Sequence, residues 1–267
     1  MPEARIGGTL VHYLDKGHGE PALVLLHAFP LHAGMWAPQA DALAGHTRVV
    51  APDLLGFGAT DAPDDPGAYS VDAWADQVAG LLDHLGLGRV VLGGLSMGGY
   101  AAFAFLRRHP ERLAGLVLAD TRPGPDTAEV AERRRDQARQ VAVEGTAELR
   151  ETLLGGLLGE YSRQHRPDVV DTVRALSDNP PAGFVGALAA MRDRPDSEPD
   201  LAGIDVPTLV VVGAQDTLSP PEVARIMHGA IPGSTLAVLP GAGHLSNLEA
   251  SEAFNTAVTR FLVQASG

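Results

Sequence analysis

A chain of 267 residues, 45% hydrophobic and 20% charged, has the length for one sizeable domain, or for a domain with an insertion. Its net charge of −13 argues against nucleic acid and anionic membrane surfaces as partners. The lack of cysteine excludes disulfides and thiolate metal sites, and no signal-peptide pattern or membrane-length apolar run is evident, so a cytoplasmic protein is expected.

In chain order, Ile6 to Leu14 reads as a hairpin turning at Gly7–Gly8, with the alternation of an antiparallel edge. Ala22 to Leu26 is a continuous apolar strand, running into His27-Ala28-Phe29-Pro30 and a helical segment from Met35 to Ala44. Arg48 to Ala51 is the next strand, ending at Pro52–Asp53 and a loop from Leu54 to Asp61. Ser70 then caps an amphipathic helix reaching Leu85, with Val71, Trp74, Val78, Leu81, Leu82 and Leu85 on one face. Val90 to Leu92 is a short strand that stops at Gly93–Gly94, and a small-residue helix follows from Met97 to His109, closed by Pro110. Leu113 to Ala119, Thr208 to Gly213 and Ser234 to Leu239 are further strands. Helices from Pro221 to Ala230 and from Asn247 to Val263 complete the alternation.

That order implies a parallel sheet with helices on both faces and functional loops at the carboxyl ends of its strands. Thr121 to Asp200 interrupts it with helical patterns at Thr127–Val143, Thr146–Leu158, Pro167–Ser177 and Pro181–Arg192, and no convincing strand. Helices inserted there are expected to lie over the site as a lid. The run Arg133-Arg134-Arg135 within them is expected to be a solvated helix face.

Between the strand at Val90 and the helix at Met97 sits Gly94-Leu95-Ser96-Met97-Gly98, an instance of G-x-S-x-G. A strand turning into a helix within two residues strains the residue at the bend, and flanking glycines remove the Cβ atoms that would collide. The serine hydroxyl is then presented above the sheet, beside the free N–H of Met97 at a helix N-terminus. Ser96 is therefore read as a nucleophile.

A serine hydroxyl needs a base, and the base works best when a carboxylate fixes its tautomer. Each is expected just past a strand. Asp216 follows the strand ending at Gly213, and His244 follows the one ending at Leu239, which gives the order Ser96, Asp216, His244. Asp120 also follows a strand and competes for the role of the acid; Asp216 is preferred for its turn-forming loop. The oxyanion site is assigned to the N–H groups of Met97 and Phe29, since Pro30 has none. His27 and Asp53 are expected to organise loops. Leu31, Trp36, Leu218 and Leu245 are candidates for apolar pocket walls. No histidine shows metal-ligand spacing, no phosphate-binding glycine loop occurs, and neither metal nor cofactor is implied.

Together these residues resemble the α/β-hydrolase fold family over nearly the full length. Leu26-His27-Ala28-Phe29-Pro30 is similar to its oxyanion loop, with Ala28 where glycine is commoner. Asp53 to Asp61 is similar to its D-x-x-G-x-G-x-S-D loop, with Thr60 in the serine's place. The resemblance implies an eight-stranded, mostly parallel sheet flanked by helices, with a core at 1–120 and 201–267 and a helical cap at 121–200. It also implies a small-molecule substrate. Gly-Leu-Ser-Met-Gly-Gly and Leu118 to Thr121 most resemble small carboxylesterases and 3-oxoadipate enol-lactonase-like members. A serine esterase or lactonase is therefore expected. The alternatives are a carbon–carbon bond hydrolase of a ring-cleavage dienoate, and a slow-turnover ligand sensor on the same fold. The oligomeric state is left open.

Overall fold

Apolar, branched runs make the strands of this chain, and their pairing decides which loops meet. The computed structural model describes residues 1–265. Its strands are β1 (Glu3–Ile6), β2 (Thr9–Lys16), β3 (Leu23–Leu26), β4 (Val49–Pro52), β5 (Val90–Leu95), β6 (Leu113–Ala119), β7 (Thr208–Gly213) and β8 (Thr235–Leu239). They form one eight-stranded sheet in the order β1-β2-β4-β3-β5-β6-β7-β8. Strand β2 is antiparallel to β1 and β4; every other pairing is parallel. The order reverses beside β3, because β4 lies on one side and β5 on the other. Loops leaving such a switch point diverge and open a crevice.

The helices are α1 (Ala37–Leu43), α2 (Val71–His84), α3 (Met97–Arg108), α4 (Ala128–Glu144), α5 (Ala147–Leu157), α6 (Glu160–His165), α7 (Pro167–Leu176), α8 (Pro181–Arg192), α9 (Pro221–Ala230), α10 (Ser246–Glu249) and α11 (Ser251–Ala265). Side-chain alternation along the strands divides the core into two layers. Val24, Leu26, Val50, Leu92, Leu116, Leu118 and Val210 pack with α2 and α3. Leu23, Leu25, Val49, Val91, Val117, Leu209 and Val211 pack with α1 and α11. Helices α4 to α8 lie between β6 and β7 in the chain, with α4 against α8.

Three elements differ from the sequence reading. Strand β5 does not stop at Gly93–Gly94 but pairs on to Leu95, with Gly93 beside Leu25 and Val117. Glycine leaves room there for the Leu25 side chain: a Cβ on Gly93 would lie 2.7 Å from Leu25 Cδ2, which would have to shift. The helix expected over Asn247 to Val263 is broken at Ala250 (φ −125°, ψ 49°) into α10 and α11. A further short helix, α6, occupies part of the stretch left without one. Among the described residues no helix is long and apolar enough to cross a membrane.

Candidate active site

Ser96 stands at the β5–α3 bend with φ 55° and ψ −112°. Among the described non-glycine residues only Ser96 and Asp120 have positive φ. Such a backbone costs about 1–3 kcal/mol and persists only where its surroundings hold it. Here the Ser96 N–H donates to Ala119 O at 3.0 Å, and Thr121 Oγ1 donates to Ser96 O at 2.8 Å. The motif glycines permit close approach: a Cβ on Gly94 would lie 2.2 Å from Gly98 O, and one on Gly98 2.2 Å from Leu26 O. Gly98 therefore lets α3 start directly on the end of β3.

The β8–α10 loop carries His244, whose Nδ1 lies 2.8 Å from Asp216 Oδ2 with both side chains buried. Asp216 is itself fixed, because its Oδ1 accepts the N–H groups of Leu218 at 2.8 Å and Ser219 at 2.9 Å. With Nδ1 facing the carboxylate, Nε2 is the ring nitrogen left for other chemistry. Ser96 and His244 line the same cavity, of about 310 Å³. No hydrogen bond joins them among the described residues.

Asp120 does not reach the histidine by a hydrogen bond. Its Oδ1 accepts the Gly213 N–H at 2.7 Å, and its Oδ2 takes a short hydrogen bond from Ser246 Oγ. Burial, followed by the neighbouring Asp216 charge, holds its carboxyl well above the usual range. Asp120 thus ties the start of the Asp216 loop, at Gly213, to the end of the His244 loop, at Ser246.

Phe29 lines the cavity, and its N–H has no partner among the described residues. The Met97 N–H, at the first position of α3, is likewise unengaged. His27 braces this loop, with Nδ1 3.1 Å from Ala28 O and Nε2 accepting the Leu54 N–H at 3.0 Å. Full burial pushes its pKa down to about 3, so the ring is neutral. Asp53 accepts from Ala33 and Ala59 N–H groups at 2.8 and 3.0 Å, which organises two loops at once.

Of the apolar pocket candidates, Leu218 lines the cavity. Leu31, Trp36 and Leu245 do not; they are buried in the core layer beneath α1 and α11, where Trp36 packs on Phe254 with centroids 5.9 Å apart. The arginine run divides. Val130, Arg133, Arg134 and Gln137, spaced i, i+3, i+4, i+7, form the stripe of α4 that lines the cavity, whereas Arg135 pairs with Glu132 in solvent. Arg133 and Arg135 are exposed, as expected of a solvated helix face, and Arg134 is half-buried; Arg133 and Arg134 also border the cavity.

Sequence reading missed three further groups. Glu249 accepts the N–H groups of Gly243 at 2.9 Å, Leu245 at 3.3 Å and Gly159 at 2.8 Å, fastening the His244 loop to the start of α6. Asn179 donates to Pro30 O at 2.8 Å and accepts the Gly58 N–H at 2.7 Å, joining the inserted helices to the Phe29 loop. Asp126 pairs with Arg134 at 2.5 Å and with the buried Arg194 at 2.6 Å. Burial alone would raise the Asp126 pKa, but the two guanidiniums outweigh it and hold the carboxyl below the usual range. None of the three carries a local sequence signal.

A switch-point crevice holding a serine at a glycine-flanked bend and a carboxylate-held histidine defines a class. The α/β-hydrolase fold model matches residues 21–251, and the chain belongs to that family of hydrolases. A thermophilic esterase from Thermogutta terrifontis, solved with malate bound, is 40% identical, with a TM-score of 0.95 and 99% of each chain covered. The enol-lactonase from Burkholderia xenovorans LB400 is 32% identical, with a TM-score of 0.90 over 98% of this chain and 100% of that one. A 2-hydroxy-6-oxononadienedioate/2-hydroxy-6-oxononatrienedioate hydrolase of Burkholderia vietnamiensis is 33% identical over 94% of this chain and 90% of its own length.

Proposed function

We propose that this chain is a serine hydrolase cleaving small carboxylic esters or lactones through an acyl-enzyme. The reading rests on one observation: His244, held through Nδ1 by Asp216, lines the cavity that holds Ser96. Substrate enters against Phe29 and Leu218, and the Ser96 hydroxyl rotates to attack its carbonyl. His244 Nε2 takes the proton, while the charge that forms on the ring is offset by Asp216. The N–H groups of Phe29 and Met97 receive the oxyanion, one from a loop held by His27 and the other from the start of α3. The same histidine then activates water and the acid leaves. Helices α4 to α8, within 121–200, serve as the cap, joined to the catalytic loops through Glu249 and Asn179.

The esterase and enol-lactonase similarities favour this chemistry. A second reading, carbon–carbon hydrolysis of a dienoate, is favoured by the Burkholderia vietnamiensis relative and would use the same three residues. The test is steady-state turnover of 4-nitrophenyl acetate, an enol-lactone and a ring-cleavage dienoate by wild type and Ser96→Ala. Ester or lactone turnover lost in the folded variant supports the first reading. Turnover confined to the dienoate supports the second, and an active Ser96→Ala protein contradicts both.

A further inference from the structure

Most arginines of this acidic chain are tied to carboxylates, as Arg135 is to Glu132, Arg192 to Asp193, and both Arg134 and Arg194 to Asp126. Arg122 and Arg133 are not. Neither has an ion pair or hydrogen bond among the described residues, and both line the cavity that holds Ser96 and His244. Arg122, half-buried, enters the wall just after β6, and Arg133, exposed to solvent, borders the cavity from the stripe of α4 that lines it. Among the described residues the only carboxylate in that wall is Asp126, which two other guanidiniums already engage. The cavity is therefore cationic inside a protein of net charge −13. Cations left unneutralised in a cleft with low-dielectric walls concentrate anions there. The remaining lining includes Phe29, Val130, Leu153, Leu157 and Met191, which suit a short carbon skeleton.

We propose that the substrate is an anionic ester or lactone whose free carboxylate, separated by a short chain from the scissile carbonyl, is received by Arg122 and Arg133. The inference deepens the ester or lactone reading above and rests on it. A guanidinium–carboxylate hydrogen bond is charge-assisted and geometrically matched, and one made in a half-closed cavity changes kcat/KM by about tenfold or more. The opposite order holds for a neutral ester, which leaves both guanidiniums unanswered and displaces their water.

The test compares kcat/KM within two matched pairs. The 4-nitrophenyl half-ester of glutaric acid and 4-nitrophenyl valerate differ in a terminal carboxylate against a methyl group. For charge on the alcohol side, 4-carboxyphenyl acetate is set against 4-carbamoylphenyl acetate. Wild type is expected to prefer the charged member of at least one pair by about tenfold, and less so as ionic strength rises. Arg122→Gln and Arg133→Gln should each draw that ratio towards one, Arg122→Lys and Arg133→Lys should keep part of it, and Arg135→Gln should leave it unchanged. No preference in either wild-type pair, or a loss shared equally by charged and neutral esters in the variants, overturns the proposal. Calorimetric titration of Ser96→Ala with glutarate separates this outcome from failure of the esterase reading. Glutarate binding that requires Arg133, in a protein that hydrolyses no ester, leaves the anion site standing and removes the reaction. Ester turnover without charge preference or glutarate binding removes the anion site alone. Inorganic phosphate binding as tightly as glutarate also overturns it, since the cavity would then be an unselective anion sink.

Discussion

Replacing each of the two neighbouring aspartates by asparagine separates their roles, because their hydrogen bonds constrain the new amide differently. Asp216 Oδ1 already accepts two backbone N–H groups, from Leu218 and Ser219. In Asp216→Asn the amide oxygen is held at that position, so the NH2 group faces His244 Nδ1, 2.8 Å from the oxygen it replaces. Two donors then meet. The imidazole relieves the clash by moving its proton to Nε2, the nitrogen that the proposed mechanism needs as the acceptor of the Ser96 proton. Loss of a charge-assisted hydrogen bond is worth about 1.5–3 kcal/mol, and the wrong tautomer adds to it. The total approaches the roughly 10⁴-fold fall in kcat known for such a change at a serine triad, about 5.5 kcal/mol. Asp120→Asn is a contrasting case. Its carboxyl is held towards the protonated form, and an amide can accept from Gly213 N–H while donating to Ser246 Oγ. Less than about tenfold is expected there. The assay is ester turnover at fixed pH, with circular dichroism to verify folding. Equal losses in the two variants, or more than a tenth of wild-type kcat in Asp216→Asn, would refute the reasoning.

Gly98→Ala should destabilise by about 1–3 kcal/mol and cost at least about 10²-fold in activity, since its Cβ would meet the Leu26 carbonyl backbone at 2.2 Å. Urea melts and turnover read both effects, and a stable, fully active variant would contradict the packing argument. His27 is neutral in the fold down to about pH 3 but takes a proton near 6.5 once unfolded. The unfolded state therefore binds more protons between those limits, and the stability it contributes falls as pH drops through 6.5. Between pH 6.5 and 4.5 the loss is about 2–3 kcal/mol. His27→Gln, whose amide oxygen can accept from Leu54, should lose that much less than wild type over this interval in urea titrations; parallel losses would contradict the burial argument. Asp126→Ala leaves Arg194 buried without its carboxylate and should destabilise by about 3–5 kcal/mol. An unchanged melt would show that the pair contributes nothing net.

The features legible in the sequence were those with local causes. Strand and helix periods, the Ser70 cap and the glycine spacing around Ser96 depend on neighbours a few residues away, and the ranges of β6 and β7 agree to the residue. Positions of Asp216 and His244 could be read because parallel strands end their loops on one side of a sheet. What could not be read depends on distant partners. Leu31, Trp36 and Leu245 are apolar residues near the site in sequence, and only contact with residues such as Phe254 decides that they face the core. The helical phase of α4, which puts Arg133 at the cavity's edge and Arg135 away from it, is set by packing against α8. The strand continuing through Gly93 and Gly94 runs against glycine's weak strand propensity; its close neighbours Leu25 and Gly98 supply the reason.

Acid-quenched mass spectrometry during turnover of a 4-nitrophenyl ester tests the serine chemistry most directly. A transient acyl mass increment is expected on the peptide containing Ser96, longer-lived in His244→Asn and missing in Ser96→Ala. Steady turnover with the acyl group on another residue, or with none detectable in His244→Asn despite release of nitrophenol, would contradict it.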